Sequence, residues 1–388
     1  MSGDARGWSG REVRTRTYLD WNATTPLRPE AAAAISSVLS HCGNPSSVHL
    51  WGRAARQAME RARQSVGALL DVRPERIIFV SGGTEANHLA LLGTGRDRVL
   101  VSAVEHDSVL RAVPEAERIP VDRDGIVELD MLDRLLAANP RPALVSVMLA
   151  NNETGVMQPV AEIARIARGH DALFHCDVAQ AAGRIALDAA AIGADLVSLS
   201  AHKLGGPPGI GALVVAGGME LTPLLRGGGQ ESGRRAGTEN LPGIAGFAGA
   251  AGAAATQIAV YDRIRELRDS LEAGIAAIAP DAVVLGAAVP RLPNTTAVAM
   301  PGVSAETQVI ALDLDGVMVS AGAACSSGKV GPSHVLQAMG VGPDLVVSTI
   351  RVSLGWTSSE ADVGHFLEAW AALYRRCRGR RAPRAHAA

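Results

Sequence analysis

Six short apolar segments without polar alternation constrain the fold of this chain more than any other feature. They are rich in Val, Ile and Leu, and they are Ile77–Val80, Val99–Val101, Leu144–Leu149, Leu173–Cys176, Leu196–Leu199 and Ala212–Val215. Such segments are typical of strands that are buried on both faces, as in a parallel sheet. Helical stretches such as Ala54–Leu70 and Val160–Arg168 lie between them. This alternation predicts an α/β domain whose mostly parallel sheet is flanked by helices and joined by right-handed crossovers.

The pattern of the sequence changes after Tyr261. A charged helix is predicted over Asp262–Ile278, and shorter strands and helices follow it. The predicted strands are Thr295–Met300, Val317–Ser320 and Thr349–Leu354, and the predicted helices are Ala305–Leu314, Ser333–Met339 and Ser359–Arg375. We therefore predict a flexible N-terminal arm (1–16), a large α/β domain (17–260), a smaller α+β domain (261–374) and a solvated Arg-rich tail (375–388).

The charge and the cysteine content argue against several classes of protein. The 388 residues include 37 basic and 39 acidic ones, and the net charge of −2 provides no field for nucleic acid or an anionic membrane. The four cysteines are too few for a disulfide framework, and none has the spacing of a metal site. No secretory signal is visible, so we predict a cytoplasmic, reducing location. A transit peptide over the Arg-containing residues 1–16 is the weaker alternative, because Asp4 and Glu12 interrupt it. The uncharged stretch Leu241–Tyr261 is rich in Ala and Gly, and we predict a buried helix there rather than a membrane span.

Polar or ionisable side chains follow five of the predicted strands. They are Ser81–Glu85, Glu105 with His106, Asn151–Glu153, Asp177 with Gln180, and Ser200–Lys203. Because open α/β sheets bind ligands at the carboxyl ends of their strands, we expect these groups to form a single site. In the first group, Gly82 and Gly83 precede a predicted helix, and the N-terminus of a helix favours a phosphate. A simple helix cap is the alternative interpretation of that group.

Lysine is scarce in this sequence, which makes its positions informative. Of the 37 basic residues, only Lys203 and Lys329 are lysines. A surface charge at position 203 does not require lysine, whereas a Schiff base does, because a guanidinium cannot become a neutral nucleophilic amine. Asp177 at a buried strand end would match a pyridinium nitrogen, and His106 would stack on a ring or move protons near neutral pH. The alternatives are a helix cap for Asp177 and a structural loop histidine for His106.

Cys325 differs from the other three cysteines in its surroundings. It lies among small residues in the segment 321–329 (AGAACSSGK), which we predict to be an accessible loop. Accessible thiols near positive charge are the reactive ones, and Lys329 would supply that charge. Cys176 lies in an apolar segment and is predicted to belong to the core.

Seven motifs, in order along residues 17–370, together resemble the cysteine desulfurases. They are YLDWNATTP (18–26), GNPSS (43–47), SGGTEAN (81–87), NNETG (151–155), AHK (201–203), GGGQE (227–231) and RAGTEN (235–240). That family consists of fold-type I pyridoxal phosphate enzymes and is similar to the class V aminotransferases. The segment around Cys325 resembles the branch with a longer, mobile Cys loop. Trp21, Pro208 and Trp356 depart from the usual family pattern, which bears on the substrate channel and the sulfur acceptor.

The resemblance implies a site for pyridoxal 5'-phosphate. Lys203 would bind the cofactor aldehyde covalently, Asp177 would pair with the pyridine nitrogen, and His106 would stack on the ring and move protons. Gln180 would contact the ring hydroxyl, and Asn152 would contact both the cofactor and the substrate. The cofactor phosphate would be held by Gly83, Thr84, Ser200 and His202, together with Thr238 from the partner subunit of a homodimer.

The resemblance also implies a reaction. Asn152 and Arg351 would bind the carboxylate of L-cysteine, which an Arg fork fits bidentately. Cys325 would take the sulfur as a persulfide, leave L-alanine and pass the sulfur to an acceptor protein. Iron–sulfur cluster assembly, transfer RNA thiolation and a dedicated biosynthetic pathway all remain open. The alternatives are another enzyme of the same fold (a selenocysteine lyase, a C–S lyase or a small-amino-acid aminotransferase) and a non-catalytic binding protein.

Overall fold

The computed structural model describes residues 16–40, 43–322 and 331–379. Nearly all of the predicted N-terminal arm, most of the Arg-rich tail, Cys42 and the segment with Cys325 and Lys329 lie outside these residues. Strands occupy β1 (Thr17–Tyr18), β2 (Ile77–Val80), β3 (Arg98–Ser102), β4 (Glu117–Ile119), β5 (Ala143–Ser146), β6 (Leu173–Asp177), β7 (Leu196–Ser200), β8 (Gly211–Val215), β9 (Val283–Leu285), β10 (Thr295–Ala299), β11 (Val317–Met318), β12 (Ser320–Ala321) and β13 (Thr349–Ser353). Helices occupy α1 (Pro29–Leu39), α2 (Leu50–Ala68), α3 (Gly83–Gly93), α4 (Asp107–Leu110), α5 (Leu129–Ala138), α6 (Val160–Gly169), α7 (Ala189–Ile192), α8 (Leu241–Thr256), α9 (Val260–Ile278), α10 (Ala305–Leu314), α11 (His334–Ala338), α12 (Pro343–Val346) and α13 (Glu360–Gly379).

The six predicted apolar segments all contribute to one seven-stranded sheet, in the order β2-β8-β7-β6-β5-β3-β4. The pairs β3–β5, β5–β6 and β6–β7 are parallel, and β8 runs antiparallel to both of its neighbours, β7 and β2. The mostly parallel sheet is therefore confirmed, whereas Ala212–Val215 is its antiparallel member. A buried antiparallel strand has the same unbroken apolar pattern as a parallel one, so the sequence does not distinguish the two.

Both faces of this sheet are buried, which explains the unbroken apolar segments. Along β2, Ile77 and Phe79 belong to one core, and Ile78 and Val80 belong to another. Successive strand side chains point to opposite faces, so a strand covered on both sides needs apolar residues at every position. Helix α3 packs on β7 and β8, and α6 packs on β6.

The C-terminal part has its own antiparallel sheet, in the order β12-β13-β10-β9, and its own core with α9, α10 and α13. The short strand β1 pairs in parallel with β11, so the first described residues lie against this part. The predicted strand Val317–Ser320 is divided, because β11 pairs with β1 and β12 pairs with β13. The division into domains at residue 260 stays a prediction.

Helix α8 covers most of the uncharged stretch, and Phe247, Ala250 and Ala254 on it are buried. It packs on α1 and α2. In the part of the chain that the structure describes, no helix alone has the length and apolar character needed to cross a membrane. Helices α8 and α9 meet those criteria only when they are taken together across a bend of 76°.

Candidate active site

A cavity of about 340 Å³ lies at the carboxyl ends of the parallel strands. Its walls come from the starts of α3 and α4, the residues after β5, β6 and β7, the segment after β1, and β13. Of the residues predicted from the sequence, it is lined by Gly83, Thr84, His106, Asn152, Asp177, Gln180, Ser200, His202, Lys203 and Arg351. The structure thus brings ten of the twelve predicted residues together, although they are up to 268 positions apart.

Lys203 enters the cavity from a short 3₁₀ helix, Ala201–Lys203, that directly follows β7. Its Nζ donates hydrogen bonds to the carbonyl oxygens of Asn22 (2.6 Å) and Ala23 (2.8 Å). The amine is therefore held at the cavity wall by the segment after β1, where an aldehyde or another electrophile would reach it.

Asp177 ends β6 and lies 9% exposed beside the cavity. Its Oδ1 accepts from the backbone N–H of Ala179, and its Oδ2 accepts from Asn87 Nδ2, both at 2.8 Å. Asn87 Oδ1 is buried and has no hydrogen-bond partner among the described residues. A carboxylate fixed in this way presents negative charge to a cationic ligand atom.

His106 caps α4 from the end of β3, and its ring is fixed on one side only. Nδ1 accepts from the backbone N–H of Ser108 (3.1 Å), so the neutral ring carries its proton on Nε2. Burial lowers the pKa of His106, and the charge of Lys203 acts in the same direction against the opposing effect of Asp177. The imidazole is therefore mainly neutral at pH 7 and able to accept a proton at the cavity.

The N-terminus of α3 forms one end of the cavity. Its N-cap is Gly82, which supplies no side-chain hydrogen bond to the first turn. Ser200 lies next to Gly83, where a side-chain carbon would be 3.4 Å from Ser200 Cβ. Burial and the charge of Lys203 lower the pKa of His202 to about 4, so this ring is neutral at pH 7. Free amides and a helix dipole here suit a phosphate.

Arg351 reaches the cavity from β13 and is only 2% exposed. One terminal nitrogen donates to the carbonyl oxygen of Asn152 (3.1 Å), and the other donates to Asp20 Oδ1 (2.7 Å). Its Nε is buried and has no partner among the described residues. An unsatisfied guanidinium N–H is costly, and a carboxylate ligand would satisfy it.

Seven residues that line the cavity were given no role from the sequence, and two of them, Asn22 and Asn87, hold predicted site residues. The carbonyl oxygen of Asn22 accepts from Lys203 and from Gln180 Nε2 (3.1 Å), and its side chain donates to the carbonyl oxygen of Asn152 (3.1 Å). Both asparagines lie within motifs of the sequence, but Asp177, which accepts from Asn87, is 90 positions away, and Asn152, which accepts from Asn22, is 130 positions away. The roles of the two asparagines become visible only once the fold places both motifs on the cavity wall.

Two predicted site residues are not placed in the cavity. Thr238 is exposed and lines a separate cavity of about 220 Å³ with Ser81. Cys325 lies outside the described residues. Of the residues that depart from the family pattern, Trp21 and Trp356 pack against each other with ring centroids 4.6 Å apart, and neither lines the lysine cavity.

Glu153 lies behind the cavity wall, next to Asn152, and is 4% exposed. Its Oε2 accepts from Ser333 Oγ at 2.6 Å, and a side-chain carbon at Gly322 would lie 3.0 Å from the same oxygen. Burial raises the pKa of Glu153 to about 7, although the Ser333 hydrogen bond and the charge of Arg351 oppose this. Glu153 therefore binds Ser333, which follows the undescribed segment, and lies close to Gly322, which immediately precedes it.

Comparison with known proteins identifies relatives along nearly the whole chain. The aminotransferase class-V family model matches residues 17–366. A cysteine desulfurase from Cereibacter sphaeroides is 44% identical over 91% of this chain and 94% of its own length. The cysteine desulfurase IscS from Dictyoglomus turgidum is 38% identical over 92% of this chain and 94% of its own. The crystal structure of a NifS-like protein from Rickettsia africae, 36% identical, superposes with a TM-score of 0.87 over 93% of this chain and all of its own.

These matches confirm the resemblance that the motifs indicated. They cover the seven-stranded sheet, the lysine cavity and most of the C-terminal part, so they do not rest on any single motif. Two of the relatives named above are cysteine desulfurases. The chain therefore belongs to the aminotransferase class-V family.

Proposed function

We propose that this chain is a cysteine desulfurase, which removes the sulfur of L-cysteine and releases L-alanine. Relatives with that name cover more than nine-tenths of the chain. The observation that carries the proposal is the juxtaposition of Lys203, Asp177 and Arg351 in one cavity, because these supply an amine, a carboxylate and a carboxylate-binding group. A solved relative, 28% identical with a TM-score of 0.76, is described as SspA in complex with cysteine, which supports the substrate class.

The described residues fit pyridoxal 5'-phosphate. Its aldehyde needs an amine, its ring nitrogen needs an anion and its phosphate needs free amides, which Lys203, Asp177 and the uncapped N-terminus of α3 would provide. The unpartnered Oδ1 of buried Asn87 is a further group that a ligand would satisfy. When bound, pyridoxal 5'-phosphate supplies an electron sink that stabilises negative charge at the Cα of an attached amino acid.

The residues of the chain would then bind the substrate and move its protons. Arg351, with Asn152 beside it, orients the substrate carboxylate and so places the Cα–H bond toward Lys203. The Lys203 amine takes the Cα proton. His106, which burial keeps mainly neutral at pH 7, exchanges protons from its own place in the cavity wall.

Sulfur removal is assigned to the Cys325 thiolate. It attacks the substrate sulfur, a sulfur–sulfur bond forms, and the carbon–sulfur bond breaks with its electron pair going to the substrate Cβ. Cβ then gains a proton, Lys203 returns a proton to Cα, alanine leaves, and Cys325 keeps the persulfide until an acceptor protein takes the outer sulfur. The position of Glu153 supports this assignment, since it binds Ser333 and lies close to Gly322, so both sides of the segment come near the cavity residue Asn152.

The active unit is proposed to be a homodimer. Thr238 is exposed on its own chain and does not line the lysine cavity, so its predicted contact with the cofactor phosphate requires a second copy. Its segment is held firmly, because Arg235 pairs with Glu85 of α3 (2.9 Å) and Glu231 pairs with buried Arg63 (2.8 Å). The cytoplasmic location stays a prediction.

The scarcity of lysine allows a direct test of the proposed function. The protein is loaded with pyridoxal 5'-phosphate, treated with borohydride to fix the cofactor to its amine, and mapped by peptide mass. We expect a visible absorption band and label on Lys203, both lost in Lys203→Ala and both kept in the matched variant Lys329→Arg. A label on Lys329, or a colourless wild type, contradicts the proposal.

The same preparation tests the sulfur step. With L-cysteine we expect alanine and a persulfide in the wild type and in Cys377→Ser. Cys325→Ser should still bind the cofactor but form no persulfide. Normal sulfide release by Cys325→Ser would exclude it as the nucleophile, and alanine formation without any sulfur transfer would favour a different enzyme of the same fold.

A further inference from the structure

A buried arginine, Arg184, lies behind the cavity, and the proposed reaction gives it no role. It is less than 2% exposed. Its guanidinium donates to Gln180 Oε1 (2.6 Å), Asn22 Oδ1 (2.7 Å) and the Trp21 carbonyl oxygen (3.1 Å). The phenol of Tyr261 also faces it, and burial raises the pKa of Tyr261, so this group is neutral as well. A buried cation is costly when no carboxylate compensates it, so this position calls for an explanation beyond packing.

Arg184 determines which way the Gln180 amide points. A guanidinium only donates, so the atom of Gln180 that faces Arg184 must be the oxygen. Gln180 Nε2 then donates to the carbonyl oxygen of Asn22 at 3.1 Å, and that carbonyl only accepts. These two contacts fix the same amide orientation independently. Gln180 lines the cavity, and the second N–H of Nε2 remains for a ligand there.

The same arginine also fixes the oxygen atom that holds the catalytic amine. Arg184 binds the side chain of Asn22, and the backbone carbonyl of Asn22 accepts from both Gln180 and Lys203 Nζ (2.6 Å). Rotation of the Gln180 amide would place its oxygen against the Asn22 carbonyl oxygen. Arg184 therefore stabilises one arrangement of two groups that face the cavity.

We propose that Arg184 is a positioning residue. It holds the Gln180 amide so that an N–H group of Gln180 faces the cavity beside the buried positive charge of Arg184. This arrangement selects a ligand that places an anionic oxygen there. The inference rests on the proposed function, in which that oxygen is the ring hydroxyl oxygen of pyridoxal 5'-phosphate in its deprotonated form. Replacing Arg184 would remove its charge and would no longer hold the Gln180 N–H donor in place. Both changes raise the pKa of this oxygen.

The test uses the pH dependence of the visible absorption of the bound cofactor, together with cofactor affinity. In Arg184→Gln we expect the absorbance midpoint to move about one pH unit higher and the dissociation constant for pyridoxal 5'-phosphate to rise about tenfold. The matched control is Arg98→Gln. Arg98 is also buried and donates to Glu117 and to the carbonyl oxygens of Leu135 and Asn139, but it does not line the cavity.

Arg98→Gln should lower the melting temperature and leave the absorbance midpoint and the cofactor affinity unchanged. A midpoint and affinity in Arg184→Gln that equal those of the wild type would overturn the proposal. Failure of the proposed function is distinguishable, because a wild-type protein without a visible band leaves no midpoint to measure.

A double-mutant cycle keeps the proposal testable if Arg184→Gln does not fold. Arg184→Lys keeps the charge but has fewer donors, so we expect a smaller rise of the midpoint in the same direction. In a Gln180→Leu background, where the amide is absent, the same substitution should have little further effect. An equal effect in both backgrounds would mean that Arg184 does not act through Gln180.

Discussion

At the scale of single residues, Arg351 offers the sharpest test of substrate recognition. Its terminal nitrogens are held by Asp20 and the Asn152 carbonyl, and its buried Nε has no partner among the described residues. Lysine keeps the charge but cannot form a planar fork. We expect Arg351→Lys to weaken L-cysteine binding about tenfold while cofactor binding is retained, measured by spectral titration of the loaded enzyme.

The control for this substitution is Arg268→Lys. Arg268 is buried in the C-terminal part and donates to the carbonyl oxygen of Leu292, away from the cavity. It should leave cysteine affinity unchanged. Equal cysteine affinity in Arg351→Lys and the wild type would argue against a bidentate carboxylate contact.

Glu153 should make folding stability depend on pH. Burial raises the pKa of this carboxyl from its usual value of 4.5 to about 7, so the folded protein keeps a proton that the unfolded chain loses. The stability from Glu153 is therefore full below pH 4.5 and is lost as the pH rises through 7. Glu153→Gln, which still accepts from Ser333, should lack this loss, which amounts to about 3 kcal/mol.

The measurement is the free energy of unfolding in urea from pH 5 to pH 8 for the wild type and for Glu153→Gln. Glu162→Gln, at an exposed position of α6, serves as the control and should follow the wild type. Parallel curves for the wild type and Glu153→Gln would mean that Glu153 is ionised in the folded protein throughout this range.

Residue-level prediction from the sequence worked where chemistry restricts the residue type. The rarity of lysine drew attention to Lys203, and the position of Asp177 at a strand end suggested a buried charge. No comparable signal marks Arg184, because arginine supplies almost every positive charge in this chain. Its function depends on Gln180 and Asn22 folding around it, and Asn22 is 162 positions away.

At the scale of elements, the N-terminus of α3 is proposed to bind the cofactor phosphate. Gly83 begins this helix, and an added side-chain carbon would be at an ordinary 3.4 Å from Ser200 Cβ. Gly83→Ala should therefore fold normally, since alanine favours helix. The methyl group would occupy the phosphate end of the cavity, and we expect the dissociation constant for pyridoxal 5'-phosphate to rise about tenfold.

Gly169→Ala provides the matched control for helix propensity. Gly169 ends α6, and a side-chain carbon there would meet nothing within 4 Å. Both variants should keep the melting temperature of the apo protein, and only Gly83→Ala should lose cofactor affinity. Unchanged affinity in Gly83→Ala would move the phosphate away from α3.

Element boundaries were predictable where burial is continuous. Helix α10 occupies the predicted residues, Ala305–Leu314, and β13 differs by one residue from the predicted Thr349–Leu354. The edge strand β4 was missed, because Glu117 and Arg118 give it no apolar pattern. The predicted segment Leu144–Leu149 extends beyond β5, since the chain continues to be buried after the sheet pairing ends at Ser146.

At the scale of the whole molecule, the site depends on groups from both cores. Asp177 ends a strand of the seven-stranded sheet and Lys203 follows another, whereas Arg351 comes from the C-terminal sheet. Asn22 binds to both, through Lys203 and through the side chains of Thr295 and Ser353. The sequence predicted two domains and a single site. It did not predict that the segment after β1 joins the two cores, because this segment has no periodic pattern.

The proposed site is completed by a second copy of the chain, which contributes Thr238. Substitution of Thr238 tests this contribution. Thr238→Val should weaken cofactor binding if its hydroxyl reaches the phosphate of the partner's cavity. Heterodimers of Lys203→Ala and Thr238→Val, purified with two different tags, would then contain one site that combines an intact Lys203 with an intact Thr238 from the other chain. We expect tight binding of pyridoxal 5'-phosphate at one site per dimer.

The heterodimer distinguishes action across the interface from action within one chain. If Thr238 served its own cavity, the Lys203→Ala chain would lack the amine and the Thr238→Val chain would lack the hydroxyl, so no site would be intact. The stoichiometry of tight binding would then be zero, as in each parent homodimer. A monomer in sedimentation that still binds the cofactor tightly would likewise contradict a shared site, because Thr238 does not line the lysine cavity of its own chain.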